Sequence, residues 1–143
     1  MKKVNKWIIF LIFIVGIFIS NYREDENAKP ELVSTINSMN HEYCSIIIHK
    51  KDVHDKENLA RFLIESCREN AFENIKFETD VRGYPSGVLL SVYLTKKDFE
   101  LGNQYMSVRC EMIEYSKSSN IRDNMDNYRL YVDNELIEYY EQS

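Results

Sequence analysis

The sequence predicts an α+β protein: an N-terminal membrane helix, then one small domain with a mainly antiparallel four- to five-stranded sheet covered on one face by two helices. Three observations predict it. An uncharged apolar run occupies residues 7–20. An apolar stripe at helical spacing follows Asp55, and several later segments alternate apolar with polar residues as strands do. The expected order is α-β-α-β-β-β-β.

The apolar run reads WIIFLIFIVGIFIS, from Trp7 to Ser20, and follows three lysines. Rich in Ile and Val, it has no polar face of the kind that a soluble helix shows. With its flanks it approaches the length that spans a bilayer. No small-residue cleavage pattern follows, which favours an uncleaved anchor, while a cleaved leader and a secreted protein stay open. The lysines before it and the acidic "REDE" after it predict a single-pass protein with a cytoplasmic N terminus and its body outside the cell membrane.

The domain boundaries follow from this run. Residues 1–22 form the signal-anchor or transmembrane helix, 23–29 a polar tether, and 30–143 one extracytoplasmic domain, for which the length suffices. After Ser20 the chain carries 15 basic and 23 acidic residues. An acidic body repels phosphate backbones, so nucleic acid is excluded as a partner.

The first half of the domain is predicted as helix, strand and helix. Pro30 fits a first helical position, and apolar residues at helical spacing extend the helix over 30–41. The β-branched segment "YCSIIIHK" predicts a strand over 43–50. Asp55 is expected to cap a helix over 56–70, which carries an apolar stripe at three- and four-residue spacing.

Four strands are predicted after that helix, over 75–81, 87–95, 104–116 and 127–141. Their alternation puts Val88, Leu90 and Val92 on one face, as a sheet with one covered face requires. The "RGYPSG" loop joins the first two strands as a hairpin. Asp133 and Asn134 are expected to form a turn within the last segment.

Histidines near a run of charged residues are the candidate metal or acid/base site. His41, His49, Asp52 and His54 supply the residue types that bind zinc or transfer protons. Their spacing matches neither a helix nor a strand face, and Asp55 is explained as a helix cap. We therefore assign no catalytic residue, metal ligand or cofactor, and treat a small metal-binding protein or hydrolase as the alternative function.

Cys44, Cys67 and Cys110 fit two interpretations. Outside the membrane, Cys67 and Cys110 can form a bridge across helix and sheet. Free cysteine is also among the most buried residue types, and unpaired core cysteines are the favoured interpretation.

Several aromatic residues are candidates for a contact surface. Tyrosine is enriched at interfaces, and the last segment carries four: Tyr128, Tyr131, Tyr139 and Tyr140. Arg82 and Tyr84 of the "RGYPSG" loop are further candidates. The alternative is that the tyrosines cover an edge strand and that the loop is only a turn.

In architecture alone, an apolar N-terminal anchor before one small acidic domain resembles small single-anchor envelope proteins of Gram-positive bacteria. The resemblance implies no activity and no functional residue. The favoured function is a non-enzymatic module that is anchored in the membrane through residues 7–20 and binds another envelope protein or peptide. A cleaved, secreted inhibitor-like protein is a further alternative.

Overall fold

The computed structural model describes residues 28–137, and the predicted membrane helix over 1–22 lies outside them. The six strands are β1 (Glu31–Ser38), β2 (His41–Ile47), β3 (Gly87–Tyr93), β4 (Met106–Met112), β5 (Tyr128–Val132) and β6 (Glu135–Ile137). The helices are α1 (Lys56–Arg68), α2 (Thr79–Arg82), α3 (Lys96–Leu101) and a 3-10 turn, Met125–Asn127. Over the described range, no helix combines the length and the apolar character needed to cross a membrane.

The predicted fold class is wrong in its sheet and in its helices. The strands form one six-stranded sheet in the order β1-β2-β3-β4-β5-β6. The sheet is mixed, because β2 and β3 run parallel while the other neighbouring pairs run antiparallel. Within residues 28–137 there is one long helix, α1, where two covering helices were expected.

The helix predicted over 30–41 is a strand, and with β2 it forms a hairpin. Its turn residues, Met39 and Asn40, have φ of 51° and 63°, as a two-residue type I′ turn requires. The helical spacing was misleading, because Leu32 is fully buried while Ile36 is 66% exposed and Met39 is 95% exposed. Strand-favouring Val33, Thr35 and Ile36 agree with the observed state.

The prediction of a strand over 75–81 is also wrong. This segment is irregular until α2 begins at Thr79. Its apolar residues nevertheless reach the core, where Phe77 is buried and Ile75 packs at the margin. The place beside β2 is taken by β3, so the segment covers the end of the core without joining the sheet.

The helix predicted over 56–70 is found as α1. Asp55 caps it, and the side chain accepts a hydrogen bond from the backbone N–H of Asn58 at 2.9 Å. Its buried stripe packs against the sheet face that carries the largest share of the core, which we call the covered face. The stripe consists of Ala60, Leu63, Ile64 and Cys67, and the sheet residues beneath it include Cys44, Ile46, Val88, Leu90, Val92, Val108, Cys110 and Leu130.

Candidate functional site

The face of the sheet opposite α1, which we call the open face, carries several large, solvent-exposed side chains. Side chains alternate between the two faces of a strand, so the residues between the core positions point here. Among them is a row of large side chains that are in register across all six strands. This large-residue row consists of Ile36, Tyr43, Leu89, Arg109, Tyr131 and Leu136.

The large-residue row is accessible to a partner. Ile36 is 66% exposed, Tyr43 45% and Leu136 51%, and the three central members are partly exposed. At the usual spacing between strands the row is roughly 24 Å long. It combines apolar, aromatic and guanidinium groups, the types that dominate protein–protein contacts.

A row of serines lies beside the large-residue row. Ser34 pairs with Ser45, Ser45 with Ser91, and Ser91 with Ser107, so four hydroxyl-bearing side chains cross four neighbouring strands in register. Beyond them, Ile47 is buried, and the rings of Tyr93 and Phe99 of α3 meet edge to face at 5.2 Å. The open face is therefore a ridge of large side chains next to a shallow strip of small ones.

Arg109 lies near the middle of the large-residue row. Its guanidinium stacks over the ring of Tyr131, with the central carbon 4.4 Å from the ring centroid. Its Nε lies 3.4 Å from Oε2 of Glu111 and makes no hydrogen bond, although that nitrogen is buried. Stacking on one side and a neighbouring carboxylate restrain the side chain, which favours contact with a partner at low entropic cost.

His41 also lies on the open face, next to the large-residue row. Its Nδ1 lies 3.2 Å from the carbonyl oxygen of Met39. Its ring occupies the space above Gly87, since a Cβ built on Gly87 would stand 2.6 Å from Cδ2 of the ring. The absence of a side chain at Gly87 is what lets this imidazole pack onto the sheet.

The structure does not bring the candidate histidines together. His41 begins β2 and His49 follows its end, which separates them by roughly 20 Å or more along the strand. His49 Nε2 pairs with Glu31 Oε2 at 3.0 Å, while the largely exposed His54 lies 3.6 Å from Asp52. In the part of the chain that the structure describes, no three His, Cys, Asp or Glu residues are placed to hold a metal ion.

The three cysteines are free and buried in the core. Burial raises the pKa of Cys44 to about 12, and it raises the pKa of Cys110 to about 12 as well. Burial likewise raises the pKa of Cys67 well above its ordinary value. A reactive cysteine needs a thiolate and access to solvent, so this arrangement suits core packing and not nucleophilic chemistry.

A buried polar network lies on the covered face, at the turn end of the β1–β2 hairpin. Glu42 is 8% exposed and accepts hydrogen bonds from the Thr35 hydroxyl and, at 2.9 Å, from the Asn37 amide. Arg82 of α2 donates to Asn37 Oδ1 at 3.0 Å. Because both carboxylate oxygens are satisfied, the network fixes the hairpin against α2 and does not present a free acid.

The tyrosines and the "RGYPSG" loop residues that are candidates for a contact surface have different environments. Tyr131 belongs to the large-residue row, whereas Tyr128 is buried on the covered face. Tyr139 and Tyr140 lie outside the described residues. Tyr84 stacks under Arg122, with the guanidinium carbon 4.8 Å from its ring centroid, so this loop residue makes an internal contact.

An open groove of about 210 Å³ lies on the far side of α1. Phe72 contributes to its lining and is itself buried, Phe62 is 54% exposed, and the ion pair between Lys29 and Glu73 is part of its rim. Two of its glutamates already have cationic partners, Glu65 with Arg68 and Glu73 with Lys29. The groove is lined by Lys29, Pro30, Phe62, Glu65, Ser66, Glu69, Ala71, Phe72 and Glu73.

Sequence reasoning missed the large-residue row. The alternation of β3 and β4 predicts which residues face the core and leaves Leu89 and Arg109 on the opposite face, but helical spacing assigns Ile36 to a helix. Pairing between strands, not spacing along any one of them, brings the row together.

No protein-family model matches this chain, and comparison with curated proteins and with solved structures finds no significant match.

Proposed function

We propose that this domain is a non-enzymatic interaction module, which binds another protein of the cell envelope through its open face. As part of the proposal, the apolar segment 7–20 holds the chain at the membrane with the domain outside. The single observation that carries the proposal is the large-residue row. Six in-register side chains, three of them exposed and three partly exposed, line a face of the sheet that α1 does not cover.

The composition of the row supports a protein partner. Tyrosine and arginine are enriched among residues that dominate binding energy, and Tyr43, Arg109 and Tyr131 occupy three of the six positions. Exposed apolar residues scattered singly need no explanation, whereas a contiguous apolar patch rimmed by polar groups marks a contact site. Here the serine row borders one side of a row whose apolar and aromatic members flank Arg109.

The test is site-specific photo-crosslinking of the full chain in its own membrane. A photoreactive residue at Leu89, within the large-residue row, should capture one protein reproducibly. The matched control carries the same group at Phe62, which is exposed on the outer side of α1. Capture of the same protein at equal yield from Phe62 would contradict the proposal, as would capture from Phe62 alone.

Binding of the captured protein should then depend on the tyrosines. Replacing both Tyr43 and Tyr131 by alanine is expected to weaken the affinity by about tenfold or more, since each removes an aromatic contact of about 1 kcal/mol or more. Phe62→Ala should leave the affinity unchanged. Thermal unfolding of each variant verifies that the domain is intact.

A further inference from the structure

The outer edge of β1 is the longest unpaired strand edge in the described part of the chain. β1 has eight residues, and its partner β2 lies on one side only. At its start, Asn74 Nδ2 donates to the carbonyl oxygen of Leu32 at 2.7 Å, and Val33 lies at an irregularity in the register. The regular free edge therefore extends from Ser34 to Ser38. An open edge of this kind is a template for another strand.

The hairpin fixes which backbone groups face outward. In a two-residue turn the flanking residues, Ser38 and His41, exchange hydrogen bonds, and the bonded and non-bonded pairs then alternate along the strands. The pair Ile36–Tyr43 is bonded, while Asn37–Glu42 and Thr35–Cys44 are not. The N–H and C=O groups of Thr35 and Asn37 consequently point away from β2, toward the free edge.

We propose that two copies of this chain join through these edges, with their β1 strands antiparallel about a twofold axis at Ile36. In this register Thr35 of each copy pairs with Asn37 of the other, which gives about four main-chain hydrogen bonds. The two Ile36 side chains lie directly opposite each other on the open face, and Ser34 lies opposite Ser38. The two sheets become one, and the two large-residue rows become continuous.

Charge supports a second copy as the occupant. The domain is acidic, with 23 acidic against 15 basic residues after Ser20, so self-association through most of its surface brings like charges together. Residues 32–40 carry no charge at all. Strand edges that avoid pairing usually carry lysine, an inward charge or proline, and the stretch Ser34–Ser38 has none of these.

The other edge of the sheet serves as an internal control. β6 has only three described residues, and Leu136 on it is 51% exposed, close to the 66% of Ile36. Leu136 belongs to the same large-residue row on the same face. Thiols at the two positions have similar access to solvent, so a difference in their crosslinking reports the geometry of association.

The test is disulfide crosslinking of the full chain. Ile36→Cys should form a covalent dimer under mild oxidation at least about tenfold faster than Leu136→Cys, because directly opposed Cβ atoms lie about 5 Å apart. The three native cysteines are buried and do not compete. A mixture of Ser34→Cys and Ser38→Cys chains should crosslink to each other, while neither alone should, since identical positions are then about 13 Å apart.

Each alternative gives a distinct result. Equal rates for Ile36→Cys and Leu136→Cys would overturn the proposal, and so would crosslinking of Ser34→Cys alone as fast as the mixture. Capture of a different protein by Ile36→Cys in the native membrane, in place of a second copy, would overturn it too. The proposal is independent of the proposed function, because the Tyr43→Ala and Tyr131→Ala substitutions should leave the Ile36→Cys dimer unchanged.

Discussion

Asn70 binds Phe77 through both ends of its side-chain amide. Its Oδ1 accepts the backbone N–H of Phe77 at 2.8 Å, and its Nδ2 donates to the backbone carbonyl of the same residue at 3.1 Å. Asn70 follows α1 with a φ of 51°, in the left-handed region. This double contact ties the irregular segment before α2 to the end of α1, and so holds the Phe77 ring in the core.

Substitution of Asn70 separates the contact from the backbone conformation. Asn70→Ala loses two hydrogen bonds and strains a positive φ, which should reduce the free energy of unfolding by about 2–3 kcal/mol. Asn70→Gly loses only the hydrogen bonds and should cost about 1–2 kcal/mol. Urea unfolding measures both. Glu69→Ala, at an exposed neighbouring position, should change the free energy of unfolding little. Equal losses for the alanine and glycine variants would contradict a contribution from backbone strain at the positive φ of residue 70.

Gly87 and His41 should be energetically coupled. A Cβ at residue 87 would stand 2.6 and 2.9 Å from two ring atoms of His41, and 3.1 Å from the Cys110 carbonyl oxygen. Gly87→Ala should therefore destabilise the domain by about 1–2 kcal/mol. Removing the ring in the double variant with His41→Ala should restore part of this, with a coupling energy above about 0.5 kcal/mol. Additive losses would instead assign the cost of Gly87→Ala to the contact with the Cys110 carbonyl oxygen alone.

The ion pair between Lys56 and Asp133 should make stability depend on pH in the acid range. Partial burial alone would raise the pKa of Asp133, but hydrogen bonds from Lys56, at 2.7 Å, and from the Ser107 N–H, at 2.8 Å, outweigh it and lower the pKa. A carboxyl group with a lowered pKa stabilises the fold above its unfolded pKa of about 4, and that stability is lost as pH falls through the folded value.

Asp133→Asn is the matched variant, because asparagine tolerates the φ of 49° found at this turn. At pH 7 it should be less stable than the native chain by up to about 1 kcal/mol. The difference should shrink as pH falls below about 4, and it should be smaller in high salt. A difference that stays constant from pH 7 to pH 2 would assign the effect to something other than the charge.

The buried cysteines should be inert in the folded protein. With the pKa of Cys44 and of Cys110 each raised to about 12, and that of Cys67 raised as well, none is a thiolate at pH 8. Alkylation at pH 8, followed by intact mass, should modify none of them without denaturant and all three in denaturant. The midpoint of modification should follow global unfolding. Fast labelling of one cysteine in native conditions would reveal local opening there.

The parts of the fold that sequence predicts are those fixed by local patterns. The Asp55 cap and the stripe through Leu63 and Cys67 define α1, and the period-two alternation of Val88, Leu90 and Val92 defines β3. These signals hold because each element buries one side against the same core. The covered-face residues of β4 follow the same rule.

The first strand and the segment at 75–81 could not be predicted in this way. Residues 31–38 mix buried Leu32 with exposed Ile36, so their spacing fits a helix as well as an edge strand. The hairpin turn decides between the two, because Met39 and Asn40 both have a positive φ there. Methionine is an unusual residue for such a turn, so the turn is hard to recognise from the sequence. The segment at 75–81 has strand-like alternation, but β3 occupies the place beside β2.

The candidate site was less predictable than the fold, because it depends on alignment between strands. Arg109 lies opposite Leu89 and Tyr131 only in the observed register, and a shift of one residue would move every large side chain to the other face. Tyr131 is indicated by residue type alone. The histidines are candidates by residue type alone, yet His41 begins β2 and His49 follows its end.

The parallel pairing of β2 with β3 has a consequence for how the chain reaches its native state. The β1–β2 hairpin closes through two residues, and β3 to β6 follow one another as a meander. Residues 48–86 connect these two units, and they are the longest connection between neighbouring strands of the described sheet. Pairing β2 with β3 therefore closes the longest loop, which has the largest entropic cost. We therefore expect the pairing of β2 with β3 to limit the rate of folding. Substitutions at Cys44 or Leu90, which lie opposite each other in this pair, should slow refolding more than substitutions at Leu130.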